Sequence, residues 1–250
     1  MIEAFNIHKS FGDNHVLKDI SIQFHEGETN LIIGKSGSGK TVLVKCLVGL
    51  FDPDEGKVEY DGRNISKMNF RQMKDVRKEI GMLFQGSALF DSMNVEENVM
   101  FPLNMFSGKS HKEKLERVNF CLERVNLGKV NKLKPAELSG GMKKRVAIAR
   151  AISMNPKYLF CDEPNSGLDP QTSGLIDDLI SELTQEFKMT TIVNTHDMNS
   201  VLNIGDHIAY IHEGQLWWQG DKNEILESEN EELNDFVFST ELTNRIKKAT

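Results

Sequence analysis

No stretch of this sequence is both long and apolar enough to cross a bilayer. The best candidate, residues 42–51, is broken by Lys45 and falls short of the roughly 20 residues a membrane helix needs. The opening Met1-Ile2-Glu3-Ala4-Phe5 lacks a basic end followed by an apolar stretch, so no secretory signal is expected. Cysteine is scarce. Cys46, Cys121 and Cys161 share no CxxC spacing and lie in apolar surroundings, which points to buried free thiols in a reducing compartment and away from a zinc site. An excess of basic charge is also missing. The net charge of −7 argues against nonspecific binding to nucleic acid or to an anionic membrane surface. There is no fixed-period repeat and no low-complexity linker. What remains is a chain of 250 residues, 39% apolar and 27% charged. It suits a globular protein with a real core, as one large α/β domain or two small ones.

Pattern along the chain supports the α/β reading. Residues 2–7 and 16–24 read as strands around a Gly12-Asp13-Asn14 turn. Residues 29–33 form a strand that runs straight into a glycine-rich loop, and 41–50 read as a buried helix ended by Asp52-Pro53-Asp54-Glu55-Gly56. Strands are expected at 58–60 and 80–84. From about Ala88 to Ile152 the chain turns helical, with Leu115, Val118, Leu122 and Val125 on one face. Strands return at 158–161 and 190–194, and residues 207–219 form a hairpin turning at Glu213-Gly214. The strands on both sides of the helical insert are expected to share one sheet. An acidic stretch with Glu227, Glu229, Glu231, Glu232 and Asp235 precedes Phe236, Phe238, Leu242 and Ile246. It reads as a solvated helix packing a few apolar residues on the body, or else as a dimer contact.

Two segments carry chemistry. Gly34-Lys35-Ser36-Gly37-Ser38-Gly39-Lys40-Thr41 satisfies G-x-x-x-x-G-K-[ST] between a strand and a helix. Glycines let backbone amides close around phosphate oxygens, and the helix start adds its positive dipole end. Lys40 brings a full charge to the β- and γ-phosphates, and the Thr41 hydroxyl is a hard ligand for Mg²⁺. An ordinary glycine turn with a surface lysine is the plainer alternative, which the strand–loop–helix context disfavours. Tyr158-Leu159-Phe160-Cys161-Asp162-Glu163 is an apolar strand ending in two acids. Its carboxyl end faces the ligand edge of a parallel sheet, so Asp162 suits Mg²⁺ and Glu163 suits the activation of water. Taken alone, Asp-Glu-Pro could equally cap the next turn.

Glu137-Leu138-Ser139-Gly140-Gly141-Met142, followed by Lys143-Lys144-Arg145-Val146-Ala147, closely resembles the LSGGQ signature and following helix of ABC ATPases. A helix beginning near Gly140 would offer the Ser139 hydroxyl and backbone amides to an anion. Further parts of the family pattern follow in order up to about Gly220. The resemblance implies that Phe11 stacks on adenine and that Gln85, the Q-loop glutamine, touches Mg²⁺ or the lytic water. It implies that Ser166-Gly167-Leu168-Asp169 is the D-loop, and that His196 is the switch histidine at the γ-phosphate. Met142 departs from the commoner Gln and cannot make its hydrogen bonds. The LSGGM turn, the segment Gly81-Met82-Leu83-Phe84-Gln85-Gly86-Ser87-Ala88-Leu89-Phe90-Asp91-Ser92-Met93-Asn94-Val95 and Pro102-Leu103 look like the ATPases of MCE/Mla transporters. Those transporters move phospholipid between bacterial envelope membranes.

The resemblance implies a P-loop NTPase (ABC ATPase) fold of the α/β class. A RecA-like core with an N-terminal antiparallel β subdomain would span residues 1–87 and 153–222. A helical signature subdomain would span 88–152, and an acidic tail 223–250. It implies an ATP- and Mg²⁺-dependent ATPase, with Glu163, His196, Gln85 and Lys40 at the chemistry and Thr41, Gln85 and Asp162 at the metal. ATP would touch Phe11, the loop from Gly34 to Thr41, and Ser139, Gly140, Gly141 and Asp169. The expected partners are a second copy of the chain in the ATP-bound state, an integral-membrane permease and an MCE-type lipid-binding subunit, with no nucleic acid. The chain would sit in the cytoplasm, peripheral on the inner face of the membrane. Rivals are the ATPase of an importer for another small solute and a soluble ABC ATPase of the iron–sulfur assembly type.

Overall fold

The structure, a computed structural model, describes residues 1–238. The elements in chain order are β1 (Ile2–Phe11), β2 (Asn14–Phe24), β3 (Thr29–Ile33), α1 (Lys40–Leu47), β4 (Glu55–Tyr60), β5 (Arg63–Asn64), α2 (Phe70–Lys78) and β6 (Ile80–Leu83). The helical insert contributes α3 (Val95–Phe106), α4 (His111–Arg124) and α5 (Gly140–Ile152). Then come β7 (Tyr158–Asp162), α6 (Pro170–Phe187), β8 (Thr190–Asn194), α7 (Met198–Ile204), β9 (His207–His212), β10 (Gln215–Gly220), α8 (Glu224–Glu227) and α9 (Glu231–Val237).

A six-stranded sheet runs in the order β10-β9-β3-β8-β7-β6. Its neighbours from β9 to β6 are parallel, and β10 closes it as an antiparallel hairpin partner of β9. Alternation along the strands sends their apolar side chains into two cores. Leu31, Ile33, Leu159, Cys161, Val193, Ile208 and Tyr210 face one core, shared with the insert, α6 and α9. Ile32, Tyr158, Phe160, Ile192, Ala209 and Ile211 face the other, shared with α1 and a second, four-stranded antiparallel sheet of order β2-β1-β4-β5. A parallel sheet covered on both faces is apolar at most positions, and its buried polar residues Thr29, Asn30, Thr190, Thr191 and Asn194 lie at the ends of β3 and β8. The expected architecture, an α/β sheet with an antiparallel β part and a helical part, is the one observed.

Local chemistry places the helix ends. Asn94 and Glu97 form a reciprocal capping box on α3, Ser110 and Glu113 another on α4, and Asp169 caps α6 through the amide of Thr172. Glu213 and Gly214 both have positive φ, as a tight hairpin turn between β9 and β10 requires.

Several boundaries move. The helix expected over 41–50 stops at Leu47, where Gly49 N–H donates to the Cys46 carbonyl and Leu50 N–H to that of Lys45. The strand at 58–60 begins at Glu55, and the strand at 80–84 ends at Leu83. Helix α2 was not legible as a pattern because only Met73 and Val76 of it are buried. The three cysteines are buried and free. Leu233 and Val237 pack α9 onto the body, while Leu242 and Ile246 of the expected tail lie outside the described residues. Among the described residues no helix is long and apolar enough to cross a membrane.

Candidate active site

Parallel strands β3, β7 and β8 end at one edge of the sheet, and each is followed at once by polar residues. Gly34 to Thr41 follow β3, Glu163 follows β7, and His196 lies two residues past β8. Together with Gln85, two residues beyond β6, and with Ser38 alone of the loop left out, they line one cavity of about 920 Å³. Gln85 and His196 therefore sit in loops just beyond their strands, where a side chain is free to reach a ligand.

The loop is folded as a phosphate cradle. A Cβ at Gly34 would lie 2.3 Å from the Ile211 carbonyl oxygen and 2.8 Å from Ser38 Oγ, so only glycine fits. Lys40, 8% exposed, donates from Nζ to the carbonyls of Gly34 at 2.7 Å and Lys35 at 3.0 Å. Burial lowers its pKa, and the negative charges of Glu163 and Asp162 oppose that shift and favour the cation. The Ser38 hydroxyl is buried beside Gly34, behind the cavity wall.

The acids are held from β8. Asn194 Nδ2 donates to Asp162 Oδ1 at 2.6 Å, and the Glu163 amide donates to the Asn194 carbonyl at 2.9 Å. Glu163 takes a left-handed backbone, φ 48°, a strained geometry that persists where the surroundings enforce it. Its Oε1 lies 2.8 Å from His196 Nδ1. Thr41, Asp162 and Gln85 offer hydroxyl, carboxylate and amide oxygens to the same cavity. These are hard donors of the kind Mg²⁺ prefers. Among the described residues no group of three or more His, Cys, Asp or Glu could hold a metal alone.

The remaining expected residues are elsewhere. Ser139, Gly140, Gly141 and Asp169 are not among the cavity's lining residues. Ser139 caps α5, its Oγ accepting from the Met142 amide at 3.2 Å. A Cβ at Gly141 would lie 2.7 Å from Thr172 Cγ2, and the Thr172 hydroxyl donates to Asp169 at 2.6 Å. The signature turn and Asp169 thus form a second group, on the start of α5 and α6. Phe11 joins neither group. It is neither core nor cavity wall. It is 47% exposed near the tip of the β1–β2 hairpin, where its ring meets Phe51 edge-on, and Val16 of β2 lines the cavity instead.

Four contributors escaped the sequence reading. Asn194 holds Asp162, as above. Asp235 and Phe236 of α9 reach the cavity, with Phe236 stacked on Tyr210 at 5.4 Å. Lys144, buried in α5, donates to the carbonyls of Gln85 and Glu163. The only signal for Lys144 was a basic residue at the head of a helix whose later positions are almost all apolar.

A family model described as "ABC transporter" matches residues 17–166. The chain is 41% identical over 225 residues to a methionine import ATP-binding protein of Clostridioides difficile, covering 90% of this chain and 70% of that protein. It is 34% identical over 236 residues to a probable ribonucleotide transport ATP-binding protein of Mycobacterium leprae, covering 94% and 68%. Among solved structures, a dimeric bacterial ABC transporter cassette superposes with a TM-score of 0.81 at 32% identity, over 89% of this chain and 99% of that one. The same cassette in a post-hydrolysis state bound to ADP and Pi gives 0.80 at 32% identity, with the same coverage.

Proposed function

This chain belongs to the ABC transporter family of ATP-binding subunits, and on that premise we propose how its residues hydrolyse ATP and what the hydrolysis drives. The carrying observation is that Lys40, Thr41, Asp162, Glu163, Gln85 and His196 line one cavity while Ser139, Gly140 and Gly141 do not. Amides of the loop and the Lys40 ammonium hold the β- and γ-phosphates. Thr41 and Asp162, with Gln85, would hold Mg²⁺, which would supply positive charge to the phosphates. Glu163 takes a proton from a water as its oxygen attacks the γ-phosphorus, and ADP leaves with the electrons of the broken bond. His196, beside Glu163, orients that carboxylate and contacts the γ-phosphate.

The signature turn completes the site in trans. Two chains related by a two-fold axis would each place LSGGM on the other's triphosphate, with Asp169 beside it. Hydrogen bonds to charged groups are worth about 1.5–3 kcal/mol each, so several donors from Ser139 and Gly141 make ATP the adhesive of the dimer. Hydrolysis removes the γ-phosphate and with it the preference for the closed state. The groove near Gln85 and the insert passes that motion to an integral-membrane permease, with the chain peripheral on the cytoplasmic face.

We infer phospholipid as the cargo, with an MCE-type subunit in the complex, from the LSGGM turn and the 81–103 segment. Import of a small solute is the second reading, favoured by the names of the methionine and ribonucleotide relatives. Glu163→Gln tests the enzyme reading. It should retain ATP binding and lose turnover by about 10²–10⁴-fold, the usual worth of a positioned base. ATPase activity at the parent rate would remove Glu163 from its role. Isolating the complex with its permease separates the cargoes: bound phospholipid supports the first reading, whereas ATPase stimulation by an amino acid or nucleotide without bound lipid supports the second.

A further inference from the structure

Helix α5 begins with the signature turn and runs beside β6, its far end packed at the start of that strand, where a Cβ at Gly81 would lie 2.5 Å from the Ala151 carbonyl oxygen. Lys144 in its second turn is 4% exposed. Its Nζ donates to the Gln85 carbonyl at 2.6 Å and to the Glu163 carbonyl at 3.3 Å. Those are the backbones of the two residues assigned to the water and metal end of the triphosphate. A buried ammonium is costly, and its pKa is pushed down by burial while Cys161, Glu163 and Asp162 oppose the shift. A charge placed there at such cost needs a return that an apolar side chain could not supply.

The surrounding backbone indicates that return. Glu163, Ser87 and Ala88 all take left-handed φ, at 48°, 63° and 47°. Non-glycine residues hold such conformations only where neighbours over-determine them. Arg150, further along α5, donates to the Ala88 carbonyl at 2.7 Å and the Ser87 carbonyl at 2.9 Å. One helix thus grips the loop after β6 at two points, and through Lys144 it also grips the end of β7. Lys144 is not among the residues lining the cavity, so it acts on the reaction through Gln85 and Glu163.

We propose that Lys144 is a positioning residue that ties a chain's signature turn to that same chain's hydrolytic residues. Seating LSGGM on a partner's triphosphate then sets Gln85 and Glu163 for attack on the chain's own. This rests on the ATPase reading above.

The test compares Lys144→Met with Lys144→Gln in the full chain. Both remove the charge and have similar size, but only glutamine can donate hydrogen bonds. K144M should lose at least about tenfold in kcat with KM for ATP within about twofold, the signature of an interaction lost in the transition state. Its ATP-driven dimerisation, followed by light scattering, should match the parent's. K144Q should recover most of the turnover. Equal turnover in the two variants overturns the proposal, whether both stay near the parent or both fall. Loss of the cooperative thermal transition in either variant makes Lys144 a core support and overturns it as well. A parent chain without ATPase activity would instead remove the ATPase reading itself.

Discussion

Asp177 lies on the buried face of α6, 2% exposed, where it accepts a hydrogen bond from Asn165 Nδ2 at 2.8 Å. Burial lifts its pKa to about 6 from the usual 3.8, outweighing the hydrogen bonds from Asn165 and Ser200, and Asp197 and Asp178 add to the rise. Between 3.8 and about 6 the folded chain keeps a proton that the unfolded chain has released. Stability from this group therefore falls as pH rises through that window, by on the order of 3 kcal/mol in all. Asn165 leads into Ser166-Gly167-Leu168-Asp169, so the same acid anchors the start of that turn. Asp177→Asn keeps an acceptor for Asn165 and removes the titration. Its stability relative to the parent should grow between pH 4 and pH 7.5, measured by urea denaturation. A gap that stays constant across that range would show that Asp177 ionises freely.

Elements meet around the phosphate loop at the β9–β10 turn. Gly214 donates its N–H to the Ser38 carbonyl at 3.1 Å and accepts from the Lys18 amide at 2.8 Å, joining loop, β2 and hairpin. Its φ is 81°, and a Cβ there would lie 2.3 Å from the Val16 carbonyl oxygen. Gly214→Ala combines a left-handed backbone with that collision and should cost about 1–3 kcal/mol. The urea midpoint should drop accordingly, and ATP affinity should weaken because Ser38 loses its support. An unchanged midpoint would show that the hairpin shifts without strain. The turn itself was legible as Glu213-Gly214 in the sequence. Its contact with the phosphate loop was not, because the two segments lie far apart in the chain.

At the scale of the whole molecule the proposed function has the two groups of site residues meet across two copies of the chain. Ser139 is exposed at the start of α5, outside the cavity that holds Lys40 and Glu163. Ser139→Arg should leave ATP binding to the single chain within about twofold of the parent, since the loop is untouched, and abolish ATP-driven dimerisation. Light scattering of the E163Q background with and without the change measures this. Dimerisation that survives the arginine would rule out the sandwich arrangement. Phe236 and Phe238 show how far the tail could be read. Their apolar character implied packing on the body, yet nothing local indicated that α9 would reach the mouth of the nucleotide cavity.

Residues close in the chain wrote their own geometry. The strand–loop–helix of Gly34 to Thr41, the apolar run into Asp162 and Glu163, and the Ser139 cap on α5 each follow from interactions within a few positions. Tertiary structure alone decided the rest: that Asn194 braces Asp162, that Phe11 stays at a hairpin tip, and that Lys144 reaches two carbonyls in the loops after β6 and β7. The reason is physical. Local torsion and capping energies depend on neighbours in sequence, whereas hydrogen bonds between distant backbones exist only after the sheet has set its register and α5 has packed across it.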